Sequence, residues 1–212
     1  MRTAQGCGGS GTVAGCAILI LAAGAASRMR GGDKLREEVA GQPLLRVMLT
    51  RALAAASGPV LCTLPSADHP RMACLAGLDV TPVLVPDAAE GMGASIRAGV
   101  LALPPDCAAV MILPADLPDL DSDDLRRMVT AHAAAPHAIV RAVDSDGRHG
   151  HPVVFPAALF DALQGCHGDS GARDLLRAHS DRIMTIPLPA HHATTDLDTP
   201  EDWAAWRAKP QP

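Results

Sequence analysis

Four consecutive apolar residues, Ile18-Leu19-Ile20-Leu21, end abruptly at Ala22-Ala23-Gly24. A run that is apolar without alternation is buried on both faces, so this strand belongs inside a parallel sheet covered by helices on either side. Small residues follow the run, then Arg28, Gly31-Gly32 and Lys34. Small residues let backbone N–H groups approach a ligand closely, and the two cations flank that approach. An anion fits such a loop, a nucleoside triphosphate best of all. The plainer alternative is that glycine serves the strand-to-helix turn while Arg28 and Lys34 are solvated surface charges. No Gly-Lys-Ser/Thr follows at Walker spacing. The chain's one GxGxxG, Gly6 to Gly11, precedes any strand and opens no helix, so it lacks the context of a dinucleotide fingerprint.

Further apolar runs alternate with helical patterns along the chain. Strands are expected at 17–23, 59–64, 80–85, 108–113, 138–143, 152–155 and 182–187. Helices are expected at 43–56, 67–76, 93–103, 122–135, 156–164, 171–179 and 200–207. Asp121/Ser122 and Thr199-Pro200-Glu201-Asp202 carry helix-start chemistry. The alternation predicts an α/β fold of three layers around a mostly parallel central sheet. Residues 144–151 break the rhythm, which points to a shorter or antiparallel insert there.

The chain has 212 residues, a length that suits one domain, expected at 17–207. Residues 1–16, rich in Gly, Ser and Thr, read as a flexible leader, and 208–212 as a fraying tail. A formal charge of −5 and 2% aromatic residues argue against a nucleic-acid partner: there is no basic stripe and little ring surface for stacking. No apolar run approaches membrane-spanning length, so no membrane partner is expected. Cysteines 7, 16, 62, 74, 107 and 166 form no CxxC and sit in apolar context. They read as reduced, buried residues of a cytoplasmic protein rather than as disulfides or a zinc site.

In open α/β sheets, ligands bind beyond the carboxyl ends of the strands, so the polar residues there are the candidates. Asp116 follows an apolar strand and lies between Pro114 and Pro118, which hold its carboxylate at the strand end. One such carboxylate suits Mg²⁺, a hard cation that keeps several waters and takes few protein ligands. Asp196 and Asp198, two apart in an extended segment, point the same way and can join it. Asp198 can equally cap the final helix. Gly91-Met92-Gly93-Ala94-Ser95 opens a helix and offers backbone N–H groups and a hydroxyl to a phosphate or base, or is simply a helix start. His149 and His151 lack a third metal ligand nearby and read as surface or substrate-pocket residues. The loop Gly165–Arg173 ends at a helix start that Asp169 caps, and it is placed to close over a substrate.

Leu21-Ala22-Ala23-Gly24, Ser27-Arg28-Met29, Lys34-Leu35 and Gly41-Gln42-Pro43-Leu44-Leu45 together resemble the signature of the MobA-like nucleotidyltransferases. Gly91–Ser95, Pro114–Pro118, Gly150-His151-Pro152-Val153, Gly168–Arg173 and Asp196–Asp202 are similar to the molybdenum cofactor cytidylyltransferase branch. The resemblance spans residues 17–207 and implies a Rossmann-like nucleotidyltransferase fold. Arg30 stands where the family has glycine, Ala26 where serine is common, and Arg36 where an apolar residue is usual.

The resemblance further implies that Leu21, Ala22, Ala23, Gly24, Gly93 and Ser95 line the nucleotide. Arg28 and Lys34 would meet its triphosphate and, with Asp116, act in catalysis. Mg²⁺ would sit on Asp116 with Asp196 and Asp198, and the acceptor would lie against Gly150, His151 and Asp169. The implied reaction transfers CMP from CTP to a molybdopterin-type acceptor, whose product would pass to a molybdenum hydroxylase or its maturation factor. A phosphate oxyanion is already nucleophilic, which agrees with the lack of a Ser-His-Asp or Cys-His signature. Competing readings are a guanylyltransferase, another transferase with a different phosphorylated acceptor, and a non-catalytic carrier of nucleotide or cofactor.

Overall fold

Strand β1 (Cys16–Leu21) occupies the middle of a seven-stranded sheet. In the computed structural model, which describes residues 15–168 and 170–209, its side chains divide strictly by parity. Ile18 and Ile20 enter one hydrophobic core, Ala17 and Leu19 the other. Helix α1 (Leu44–Ala55) covers the first face, and α2 (Met92–Leu101) the second. A strand with both faces buried gains about 1.5–3 kcal/mol per large apolar side chain, which explains why the run cannot alternate.

The remaining sheet strands are β4 (Val60–Leu64), β5 (Thr81–Leu84), β6 (Ala109–Pro114), β7 (Ile139–Val143), β8 (His149–Pro156) and β9 (Ile183–Pro187). Their order is β5-β4-β1-β6-β8-β7-β9. All pairings are parallel except those of β8, which runs antiparallel to both β6 and β7. The expected antiparallel insert at 144–151 is therefore the turn into β8. Helices α3 (Ser122–Ala134) and α6 (Pro200–Arg207) lie with α1, and α4 (Phe160–Gln164) and α5 (Arg173–Ala178) with α2, completing three layers. β1 sits between β4 and β6, where successive crossovers leave in opposite directions. That switch point opens a crevice at the carboxyl end of β1.

Several expected elements differ in detail. Cys16, placed in the leader by composition, is the first residue of β1 and pairs with Ala109; residues 1–14 and 210–212 lie outside the described part. The span 67–76 forms a six-residue 3₁₀ helix, Pro70–Leu75, and no α-helix; it stops just before Gly77, which adopts φ 74°. A small hairpin, β2 (Glu38–Val39) with β3 (Gln42–Pro43), was not expected. Its turn is Ala40-Gly41, both at positive φ, the geometry that matches strand twist in two-residue hairpins. No helix among the described residues is long and apolar enough to cross a membrane.

Gly150 shows how the last connection is packed. The chain over residues 188–196 crosses β8 so closely that a Cβ at Gly150 would lie 1.9 Å from the Ala193 carbonyl oxygen. The same carbonyl accepts the His151 N–H at 2.9 Å. Gly150→Ala is therefore expected to destabilise the protein by roughly 1–3 kcal/mol, the usual range for overpacking, as read from urea denaturation. An unchanged midpoint would show that the crossing segment is free to move away.

Candidate active site

The loop after β1 is held by groups behind it. Ala22 donates its N–H to the buried Thr63 Oγ1 at 3.0 Å, tying the loop to the end of β4. Arg71, 2% exposed, reaches it from the 3₁₀ helix Pro70–Leu75. Its Nη1 donates to the Ala22 and Gly24 carbonyls at 2.6 and 2.8 Å. Its Nε and Nη2 grip the Asp33 carboxylate from 2.8 Å. Burial alone would raise the Asp33 pKa, but the guanidinium outweighs it and holds the carboxyl below its ordinary value. Asp33 also accepts the Leu35 N–H at 3.1 Å, capping the 3₁₀ turn Lys34–Arg36. Both ends of the loop are thus fixed to one guanidinium. Between them Arg30 adopts φ 51°, a left-handed conformation that costs a non-glycine residue about 1 kcal/mol.

Lys34 projects from that capped turn to the opposite wall. Its Nζ lies 2.6 Å from Asp116 Oδ2 and 2.6 Å from Asp198 Oδ1. Arg28 adds a contact of 2.8 Å to Asp198 Oδ2, although its side chain is 69% exposed. Burial pulls the Lys34 pKa down, but Asp116 and then Asp198 reverse this and leave it above the ordinary lysine value. Asp116 follows the end of β6, as expected. Asp198 is free because Thr199, and not Asp198, caps α6: Thr199 Oγ1 accepts the Asp202 N–H, and the Asp202 carboxylate accepts the Thr199 N–H. Leu197 turns into the core and donates its N–H to the Asp116 carbonyl, so Asp196 and Asp198 both face the crevice, in agreement with their spacing. The Asp196 carboxyl is raised by burial and by the charges of Asp116 and Asp198.

These residues wall one cavity of about 640 Å³ that also includes Leu21, Ala22, Gly24, Ser27 and Ser95. Ala23 faces a neighbouring cavity on the far side of the same loop, with Pro65, His69 and Arg71. Gly93 is placed differently from expectation. It borders none of these cavities, its N–H donates to the Gly168 carbonyl at 2.9 Å, and a Cβ would meet the His167 backbone at 2.8 Å. Its glycine serves the packing of α2 against the 165–171 loop, and its N–H is not available to a nucleotide. Gly150 and His151 line an adjoining cavity of about 290 Å³ that shares Met92, Asp116 and Asp196 with the first. Asp169 lies outside the described residues. His151 Nδ1 is buried without a hydrogen-bond partner, and burial, aided by Arg141, pushes the imidazole pKa down to about 4.

Sequence reasoning missed Arg71, Asp33, Thr63 and Met92. The first three act from behind the loop, and an arginine in a polar stretch gives no sign of burial.

A glycine loop at a sheet switch point, faced by carboxylates and two cations, defines a protein that handles nucleoside phosphates. Residues 18–183 match the MobA-like NTP transferase domain, and the chain belongs to that family of nucleotidyltransferases. A molybdenum cofactor guanylyltransferase of Bradyrhizobium is 32% identical over 194 residues, covering 88% of this chain and 89% of the relative. A second, from Cupriavidus metallidurans, is 32% identical over 85% of this chain and 89% of its own length. The bifunctional protein GlmU of Leifsonia xyli aligns over 56% of this chain, which spans only a quarter (25%) of that relative. Among solved structures, Rv0371c of Mycobacterium tuberculosis H37Rv superposes with a TM-score of 0.81 at 23% identity, covering 93% of this chain and all (100%) of that one. A CMP:2-keto-3-deoxy-manno-octonic acid synthetase complexed with CTP gives 0.71 at 14% identity, over 91% and 97% of the two chains. These likenesses carry the Rossmann-like nucleotidyltransferase fold.

Two predictions arise from this geometry. Arg71→Met leaves the Asp33 carboxylate and two carbonyls without their donor, and should cost about 3–5 kcal/mol by chemical denaturation, as when one partner of a buried pair is removed. A cost under about 1 kcal/mol would show that solvent replaces the guanidinium freely. His151 supplies the second. Unfolded, it takes a proton near 6.5, whereas folded it does so only near about 4. The unfolded chain binds more protons between these values, so stability falls as pH drops through that window. His151→Gln should lose less stability than wild type from about pH 7 to about pH 4.5, and equal losses would refute the assignment.

Proposed function

We propose that this protein transfers CMP from CTP to the phosphate of a molybdopterin-type molybdenum cofactor and releases pyrophosphate. The observation that carries the reading is the meeting of Lys34 with Asp116 and Asp198 beside the Gly24 loop. An oxygen of the acceptor phosphate forms a bond to the α-phosphorus of the nucleotide. The bond from that phosphorus to the β-phosphate oxygen breaks, and its electron pair leaves with pyrophosphate. No protein nucleophile is needed. The task of the site is to align the two phosphates and neutralise charge.

Lys34 and Arg28 supply that neutralisation. Lys34 stays protonated because two carboxylates hold it so, and the Arg71 clamp on Asp33 fixes the turn from which it projects. The carboxylates fit a hard divalent cation. Asp116 and Asp198 converge on a single point now taken by the Lys34 ammonium, and the raised Asp196 carboxyl marks crowded negative charge. Asp116 and Asp198, with Asp196 at the rim, would hold Mg²⁺, which supplies Lewis-acid polarisation of the phosphates when bound.

CTP is favoured by the Gly91–Ser95, Gly150–Val153 and Gly168–Arg173 motifs. GTP is a second reading, favoured by the names of the two relatives that align over most of this chain. Cavity size does not select between them, since about 640 Å³ admits either base. Transfer of the product to a molybdenum hydroxylase or its maturation factor accords with the same reading.

Pyrophosphate release, measured with each triphosphate with and without molybdopterin acceptor, tests the proposal. CTP-dependent release that requires the acceptor is expected; a GTP preference would move the chain to guanylyl transfer. Asp116→Ala should abolish release while the protein stays folded, and chelation of divalent cations should do the same. Full activity of Asp116→Ala in saturating Mg²⁺ would remove the metal assignment. Lys34→Ala should lower kcat/KM for the triphosphate by more than about tenfold, the value of one charge-assisted phosphate contact.

A further inference from the structure

Beyond His151 the interior holds a second, smaller cavity of about 140 Å³, between α2, α5 and the sheet. Its walls are largely apolar: Ile96, Ile112, Val153, Phe155 and Leu176. Two arginines also line it, the partly buried Arg141 from β7 and the exposed Arg173 from the start of α5. Neither has a carboxylate partner among the described residues. The one side-chain hydrogen bond of Arg141 among the described residues is a contact of 3.5 Å from Nε to the Gly150 carbonyl, at the limit of what such a bond spans. Parity along β7 explains the placement. Val140 and Ala142 enter the core under α1 and α3, so Arg141 must turn to the α2–α5 face with Ile139.

Several other arginines of the described part have carboxylate partners. Arg71 has Asp33, Arg97 has Glu90, Arg148 has Asp144, and Arg207 has Glu37. A half-buried guanidinium without a counter-charge is costly, and two that share a cavity repel each other. Burial and then Arg173 both disfavour the charged form of Arg141. An oxyanion in the cavity would remove both penalties at once. The buried, unpartnered Nδ1 of His151 stands on the boundary between this cavity and the one reached by Asp116 and Asp196. Met92 borders both as well as the nucleotide cavity, so the three spaces follow one another.

We propose that the Arg141–Arg173 cavity is an anion subsite that binds a negatively charged group of the acceptor, separate from the phosphate that attacks the nucleotide. Its assignment to the acceptor rests on the nucleotidyl-transfer reading; its capacity for an oxyanion does not. An acceptor bound in this way lies with its reacting phosphate near Asp116 and Lys34 and its second anionic end past His151, on two arginines. The carboxylates at the first end and the arginines at the second would set its direction.

Sulfate and molybdate serve as the anion probes, with Arg141→Gln and the exposed Arg173→Gln as variants. Thermal denaturation of the wild type should shift upward with either anion, and the shift should shrink in both variants. Acceptor KM should rise by more than about tenfold in Arg141→Gln, while nucleotide affinity stays within about twofold. Arg141→Lys, which keeps the charge, should recover part of the loss. Unchanged anion response and unchanged acceptor KM in both variants would overturn the subsite. Loss of anion response with an unchanged acceptor KM would overturn its assignment to the acceptor and leave a site for a free oxyanion. A wild type that transfers no nucleotide to any molybdopterin acceptor, yet shows an anion response lost in Arg141→Gln, would reject the transfer reading and uphold the subsite. Arg173→Gln carries no folding risk at its exposed position, so it decides the question if Arg141→Gln does not fold.

Discussion

The geometry of the site depends on one buried guanidinium. Arg71 supplies donors to two carbonyls at the start of the β1 loop and to a carboxylate at its end, and so converts a glycine-rich turn into a shaped surface. A loop of small residues has few apolar contacts to fix it and loses much conformational entropy when ordered. Charge-assisted hydrogen bonds in a buried setting are strong enough to offset that loss, and the fork of arginine suits a carboxylate better than lysine does. Arg71 holds Ala22 and Gly24 directly but forms no hydrogen bond to Lys34. Its influence runs through Asp33, which caps the turn that carries Lys34.

Lys34 then ties together two parts of the fold that are already joined by the Leu197 N–H on the Asp116 carbonyl. Asp116 stands at the end of a central strand, whereas Asp198 belongs to the segment before the final helix. The Lys34 ammonium and the Arg28 guanidinium together offset these two carboxylates. The Asp196 carboxyl, with no such partner, keeps its proton more readily. The arrangement gathers three carboxylates and two cationic side chains at one end of the crevice.

The sheet was legible in the sequence because its inner strands β1, β4 and β6 are buried on both faces and almost wholly apolar, a pattern surface chemistry rarely imitates. Every expected strand is present within two or three residues of its expected ends, and the break at 144–151 marked the reversed strand. The carboxylates were legible for a related reason: Asp116 and the Asp196/Asp198 pair are polar residues where a strand or extended segment meets the crevice. What lay hidden depended on distance in space. Arg71 looks like a surface arginine, and only the fold shows it under the loop. Gly93 looks like part of a phosphate-binding turn until the 165–171 loop is seen lying against it. Arg141 carries no motif at all, and its environment is set by which face of β7 it occupies. The 67–76 span misled because its composition permits an α-helix, while the stretch from Pro70 to Gly77 is short and winds as a 3₁₀ helix.

The capping of α6 by Thr199 has a consequence for how the protein comes into being. By leaving Asp198 uncommitted, it gives the catalytic centre a residue 164 positions along the chain from Lys34. The sheet strands from β1 to β6 and the clamped loop are all encoded before that residue is made. The crevice therefore gains its third wall only when the segment before α6 lies across β8 and brings Asp198 to Lys34.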